Sequence, residues 1–437
     1  MGTFSDSFKT PEVRKKILFT FLIVSVLCVL TIVPIPGLNY AAAVHNLVGW
    51  GNMGTVLNIL SGHALSNVSI TSLGIYPFLV ASIVMQIVVL AVPKLRNLSQ
   101  MGEEGTKVVA KLTRIAGLVS AGVFAILYCV GMRDAVTTNI NYWVAIVLCG
   151  VSVAVGSAFC GWCVELINNK GLGNGLTVII VASIIRNIPN EMLGLYLKAE
   201  ILGKVPAFAL VGAGCIFLIG MLFFSLLLNM GEKKLRIIFQ KRTVGMKQYG
   251  MQNQVIPVKV TQAGIMPVIY TLIILLLPSA IIAMVAPNSD GAIVVGMKNF
   301  LTSIGFIPLF IVLVVFFTFI FAMMQFNPMD MATQLKENGG YIQGLRPGKA
   351  TSQYLMSMYT NLNVFDNFYL ILVCVVPMIV NFIPAFAGVC MGGIGLVIIG
   401  GGFVEMKTLL ENALKAEEDK AKQAGKDKKR SKNYNKK

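Results

Sequence analysis

GTVLNILSGHALSNVSITSLGIYPFLVASIVMQIVVL, residues 54–90, is apolar throughout its second half but not its first. The first half runs for roughly a dozen residues and carries Asn58, Ser61, Gly62, His63, Ser66 and Asn67. A helical crossing of a bilayer needs about 20 mostly apolar residues. A short, half-polar helix at membrane depth survives only where it is buried in protein or lines a water-filled cavity. The stretch therefore predicts a plugged or partly wet channel rather than a plain helical bundle.

Composition places the stretch in a membrane. Of the 437 residues 56% are hydrophobic and 13% charged, and the mean hydropathy is +0.76, the profile of a polytopic membrane protein. The first apolar run, Ile17 to Val33, follows Lys9, Arg14, Lys15 and Lys16 and lacks a small-residue cleavage site, so it reads as a retained span. At about 20 residues per crossing, ten spans are expected: 17–36, 73–92, 114–131, 142–164, 174–190, 207–229, 263–286, 305–325, 367–384 and 390–407. With a cytoplasmic N-terminus, 31 of the 36 Lys and Arg residues fall on the cytoplasmic side. Only Arg133, Arg186, Lys198, Lys204 and Lys298 fall elsewhere. A miscounted span would scramble this bias, so both termini are expected in the cytoplasm.

The net charge of +17 is thereby concentrated on one face, where basic loops gain from anionic lipid. Two loops exceed what topology requires, 230–262 and 326–366, and long ordered loops usually carry function. The tail 408–437 reads as a disordered basic charge run. The expected organisation is an N-terminal half, 1–206, a C-terminal half, 207–407, and that tail.

Little in the chain suits catalysis. The eight cysteines sit almost entirely in apolar runs, and Cys160-Gly-Trp-Cys163 reads as helix packing rather than a redox or metal pair. His45 and His63 are the only histidines, too few for a metal-ligand cluster. With no phosphate-binding glycine loop, nucleophile elbow or paired carboxylate, no enzymatic activity, metal or cofactor is expected.

Ion-coupled transporters place ionisable groups inside the membrane, whereas these span interiors contain essentially none; Glu165 and Glu405 lie near cytoplasmic ends. The expected path is lined by apolar groups. Ile75, Leu79 and Ile83 recur at helical spacing, as do Leu176 with Ile180 and Met266 with Ile269. Periodicity alone does not separate such stripes from packing or lipid-facing surfaces. Gly171-Leu-Gly-Asn-Gly175, Gly264 with Pro267, and Gly392-Gly393 with Gly400-Gly-Gly402 interrupt three spans, as in transport folds built from discontinuous helices.

Several strings together resemble the SecY family of bacterial protein-conducting channel subunits. They are Pro34-Ile-Pro-Gly37; Leu60-Ser-Gly-His-Ala-Leu-Ser-Asn67 running through Leu73-Gly-Ile-Tyr-Pro77 to Ala81-Ser-Ile-Val-Met-Gln86; Gly102-Glu-Glu-Gly105; Gly171 to Gly175; Ile256-Pro-Val-Lys-Val260 with Ala263-Gly-Ile-Met-Pro267; Phe326-Asn-Pro328; and Gly344-Leu-Arg-Pro-Gly348. They follow the family order along nearly the whole chain. The resemblance implies an all-α polytopic membrane protein with ten transmembrane helices in two inverted five-helix halves and a short re-entrant plug helix within 54–72. It implies a pore ring of Ile75, Leu79, Leu176, Ile180, Met266, Ile269 and Ile398. The plug would comprise Asn58, Leu60, Ser61, Gly62, His63, Ala64, Leu65, Ser66 and Asn67, and the lateral gate Val80, Thr261 and Leu277.

Lys241, Arg242 and Arg346 would contact the SecA motor ATPase or the translating ribosome. SecE-like and SecG-like small membrane subunits, signal-sequence-bearing polypeptides and anionic lipids complete the implied partners, and the implied location is the bacterial plasma membrane. The chain departs from the family pattern at Met101, Thr106, Thr261 and Ile394, which suits an accessory-system paralogue with few substrates as well as a general channel. A small-solute secondary transporter, the reading from another class, would need the missing intramembrane charges.

Overall fold

The computed structural model describes residues 10–49, 64–100, 103–132, 135–136, 141–200, 204–239, 242–244, 247–249, 254–261, 263–264, 266–285, 296, 305–325, 328–337, 340–342, 344–345, 348–380, 395–411 and 413–414. In lipid each backbone N–H and C=O must find its partner within its own segment, so apolar runs become helices. In chain order these are α1 (Pro11–Leu30), α2 (Tyr40–Gly49), α3 (Tyr76–Ala91), α4 (Pro93–Gln100), α5 (Glu103–Gly131), α6 (Tyr142–Lys170), α7 (Gly175–Glu200), α8 (Lys204–Asn229), α9 (Met266–Val285), α10 (Phe306–Gln325), α11 (Pro328–Glu337) and α12 (Lys349–Val380). A last helix, α13, covers 395–411.

A helix stands at each of the ten expected spans. Among the described residues, five helices are long and apolar enough to cross a membrane by length and composition alone, on α5, α6, α8, α10 and α12. Val119, Val123 and Ile126 on α5, and Ile216, Ile219 and Phe223 on α8, are exposed, as expected of helices surrounded by lipid. The first span sits earlier than expected. Pro11 occupies the first helical turn, where its missing N–H costs nothing, and the helix stops at Leu30 rather than 36.

The chain divides into two compact units, one of Met1–Asn187, Ser279–Val294 and Gly402–Lys437, the other of Ile188–Pro278 and Val295–Gly401. In the first, α5 packs against α3 and α6, and α1 against α6. Close approach is made possible by glycine. A Cβ on Gly156 of α6 would land on the carbonyl oxygen of Ile70, and one on Gly175 on that of Val164. Val13, Leu172 and Leu410 form a small buried cluster that ties the starts of α1 and α7 to the end of α13.

In the second unit α8, α10 and α11 pack on α12. Here the two long loops, expected as separate features, join into one structure. Strands β1 (Glu232–Phe239) and β4 (Gln254–Lys259) come from the first loop and β5 (Gly340–Ile342) from the second. They form a three-stranded antiparallel sheet in the order β4-β1-β5. Leu235 and Ile237 are buried while the alternating Lys234 and Arg236 are exposed, the two-residue period of a strand with one covered face. Leu235, Val258, Ala332, Ile342, Leu355 and Met358 make the core beneath. Strands β2 (Arg242–Val244) and β3 (Lys247–Tyr249) form a separate hairpin beyond β1. The 32-residue α12 starts 18 residues before the expected ninth span and runs unbroken from this platform.

A polar knot holds α8 to α12. The Tyr369 hydroxyl lies 2.8 Å from the Ser225 hydroxyl and accepts the Asn229 side-chain amide at 2.8 Å.

Gly156→Ala should destabilise the protein by about 1–3 kcal/mol, because the Ile70 backbone stands where the methyl group must go. Gly122→Ala on α5, with no atom within 4 Å, should be neutral or gain up to about 1 kcal/mol from helix propensity. Thermal unfolding in detergent compares them; matching midpoints would mean that the segment around Ile70 retreats freely.

Candidate functional site

The decisive stretch is visible from Ala64 onward. Residues 64–75 form successive turns, with no helix until Tyr76. Asn58, Leu60, Ser61, Gly62 and His63 lie outside the described residues, so the plug helix is not seen there, and Ala64 to Asn67, expected at its end, adopt turns. Apart from the exposed Ser66 and Asn67, most of this irregular segment is buried, and several of its backbone polar groups pair with neighbouring elements. Ile35 donates its N–H to Val68 O at 3.0 Å, and Ile70 donates to Val33 O at 3.0 Å. Between them Pro34 and Ser69 make an antiparallel bridge. Ser157 of α6 donates to Gly74 O at 2.9 Å, and Ser120 of α5 to Pro77 O at 2.8 Å. Each of these bonds joins the stretch to a neighbouring element, whether as donor or as acceptor, which is how non-helical backbone persists at membrane depth.

All seven expected ring residues sit at or near helix starts. In the first unit, Ile75 immediately precedes α3 and Leu79 lies one turn on, while Leu176 and Ile180 open α7. In the second, Met266 and Ile269 open α9 and Ile398 lies in the first turn of α13. Ile75, Leu79, Ile180, Ile269 and Ile398 are buried, and Leu176 and Met266 half-buried. Asn174, just before α7, accepts the Leu176 N–H with its side-chain oxygen at 3.2 Å, and Asn168 accepts that of Gly175 at 2.7 Å. The two asparagines thus satisfy donors that a helix start leaves open.

Of the expected gate residues, Val80 is buried on α3, Thr261 is buried just after β4, and Leu277 is half-buried on α9. Among the loop residues, Arg242 opens β2, opposite Tyr249 in the hairpin register; Lys241 and Arg346 lie outside the described residues. Gly344 and Gly348, which flank Arg346, have φ of +87° and +106°. Glycine alone adopts these values without cost, so the turn is built into the backbone.

Two ionisable groups stand within helices near the edges of expected spans. Arg186 lies midway along α7, half-buried, because that helix runs on to Glu200 rather than ending near 190. It had already stood out as one of five basic residues off the cytoplasmic side. Asp366, expected at the edge of a loop, lies within α12 and is 0% exposed. Its Oδ2 accepts the Ala263 N–H at 3.0 Å, which fixes the chain entering α9. Asn363 and Asn367, on the same face of α12, are buried beside it. Nothing in the spacing of Asp366 marked it, since its environment exists only once α12 meets the 261–264 segment. Among the described residues no three His, Cys, Asp or Glu side chains group as a metal site.

The SecY family profile matches residues 69–406. The chain is 31% identical to the protein translocase subunit SecY of Thermotoga maritima, over 86% of this chain and 88% of that one. To the corresponding Thermus thermophilus protein it is 30% identical over 95% of each. A solved protein-conducting channel superposes with a TM-score of 0.62 at 17% identity, covering 93% of this chain and 96% of that one. Sec61 in a canine ribosome–channel complex from the endoplasmic reticulum superposes with 0.59 at 16% identity, over 93% and 96%. These likenesses span nearly the full length of both partners, and the mostly helical, multi-pass membrane fold is common to them. The chain belongs to the SecY family.

Proposed function

We propose that this chain is the channel-forming subunit of a bacterial protein translocase. It passes unfolded secretory polypeptides across the plasma membrane and releases hydrophobic segments sideways into lipid, with both termini cytoplasmic. The observation that carries this reading is the buried, non-helical 64–75 segment leading into ring residues at the start of α3. That helix has only 16 residues, about 24 Å, against a hydrocarbon core of about 30 Å. Such a segment cannot be a plain crossing, and it suits a plug stem that enters the membrane from one side.

In this reading ten spans form two inverted halves, 1–206 and 207–407, and the seven ring residues meet between them. An apolar constriction gates by dewetting, and it fits around a moving chain without holding it. Residues Asn58 to Asn67 stopper the ring, and Val80, Thr261 and Leu277 line the sideways exit. The platform of β1, β4 and β5 supports two basic tips, Lys241-Arg242 and Arg346, as docking points for the motor ATPase SecA or the ribosome. An arginine suits carboxylate or phosphate partners by bidentate pairing. That related channels are known in ribosome complexes supports this role. Small SecE-like and SecG-like subunits complete the assembly, and anionic lipid faces the basic side.

Deleting Asn58 to Asn67 should leave a folded protein and raise ion conductance of the resting channel in planar bilayers. Unchanged conductance would remove the plug assignment. Ile75→Asn, Ile180→Asn and Ile269→Asn should each accumulate normally, because a side chain lining a wet path keeps its hydrogen bonds; an amide forced into a packed interface would cost about 1–3 kcal/mol. Each should also improve export of precursors with weak signal sequences, and loss of protein without that gain would make these residues ordinary core.

Arg346→Glu should abolish ATP-dependent export into vesicles while assembly stays intact. Export within about twofold of the parent would exclude Arg346 from motor contact, since reversing a contact charge at a docking site costs several kcal/mol.

A further inference from the structure

Arg186 belongs to neither the ring, the gate nor the cytoplasmic platform. It closes the apolar first half of α7, and an ionisable residue beside an apolar membrane segment is costly, so such residues cluster where a membrane protein works. Its partners are therefore informative. The Arg186 guanidinium donates to the Thr31 hydroxyl, and its Nη1 also reaches Cys28 O at 3.5 Å. Cys28 and Thr31 are the last turn and the C-cap of α1. The final carbonyls of a helix have no donor within it and form the negative end of its dipole. The end of α1 thus serves as a counter-charge for Arg186. Thr31 is oriented for this, because its hydroxyl donates to Cys28 O at 2.7 Å and turns its lone pairs toward the guanidinium.

Thr31 also faces the stem of the 64–75 segment. Its carbonyl accepts the Asn67 side-chain amide at 3.3 Å. Directly beyond it, residues 33–35 pair with 68–70 through the two backbone bonds and the Pro34–Ser69 bridge. A chain of contacts therefore runs from α7 through the end of α1 to the stem. Beside it lies a cavity of about 30 Å³, lined by Cys28, Thr31, Thr71, Ile75, Ser183 and Arg186 among others. The lining is mostly apolar, but Thr31, Thr71, Ser183 and Arg186 offer polar partners, and the volume suffices for a water molecule. The guanidinium can exchange the hydroxyl for water there, so the bond can open without leaving a buried charge bare. Ile75, an expected ring residue, lines the same cavity.

We propose that Arg186 is a positioning residue that latches the resting channel. Its bond to Thr31 fastens the end of α1, and with it the Asn67–Ile70 stem, to α7, and releasing that bond is a step of opening. The latch rests on the plug reading above.

The test is the resting conductance of the purified channel complex in planar bilayers, with export of a weak-signal precursor as the second readout. Arg186→Gln and Thr31→Val should each raise resting leakage at least fivefold and improve weak-signal export. The double variant should leak no more than either single one, because both remove one bond. Arg186→Lys and Thr31→Ser, which keep a donor and a hydroxyl, should restore most of the seal. Leakage within twofold of the parent in Thr31→Val, which retains the charge and the side-chain shape, overturns the proposal even if Arg186→Gln fails to accumulate. Multiplying effects in the double variant overturn it as well. Deletion of Asn58 to Asn67 keeps the two claims apart. Leakage from the deletion but not from the latch variants sinks the latch and spares the plug. A silent deletion sinks the plug reading itself, and latch variants that still leak on top of it overturn coupling through the stem.

Discussion

A backbone amide without a partner costs several kcal/mol in hydrocarbon, and the 64–75 segment lives under that constraint. Its turns leave N–H and C=O groups that no helix can satisfy internally. Neighbouring elements supply partners: residues 33–35 on one side and Ser157 on the other. Those partners reach it because Gly156 removes the side chain that would stand in the way. The arrangement of α1, α5 and α6 around α3 follows from the need to wrap this non-helical stretch in protein.

The ionisable groups within helices obey the same accounting. Arg186 is met by the end of a helix, and Asp366 by a backbone amide at the entry to α9. Each pairing spans two elements, and each lies next to a segment in which the helical backbone is interrupted. Charges in lipid-exposed positions would have no such partners, which is why the outward faces of α5 and α8 carry valine, isoleucine and phenylalanine.

On the aqueous side, burial rather than backbone pairing sets the design. The two long loops share one sheet and one core, so the hairpin that begins at Arg242 and the Gly344–Gly348 turn are carried on a common support. The continuous α12 joins that support to an apolar span. The part of α12 beneath the sheet and its membrane-crossing part therefore belong to one continuous element, whereas a flexible loop would leave them independent.

Much of this was legible in the amino-acid order. Hydropathy located a helix at each expected span, since lipid forces every apolar run of sufficient length into one conformation. The polar residues between Asn58 and Asn67 argued against a plain crossing, and the described residues from Ala64 onward are turns until Tyr76. The alternation in Glu232–Phe239 could have announced a strand, but its partners could not be read, because pairing of β1 with β5 joins residues about a hundred positions apart. The same holds for Asp366 and Arg186. Sequence gives their type and position, whereas their cost and their use depend on which helix end or amide the fold brings against them. Local physics is written in the order of residues; the satisfaction of a buried charge is a property of two distant segments meeting, and only the tertiary structure decides it.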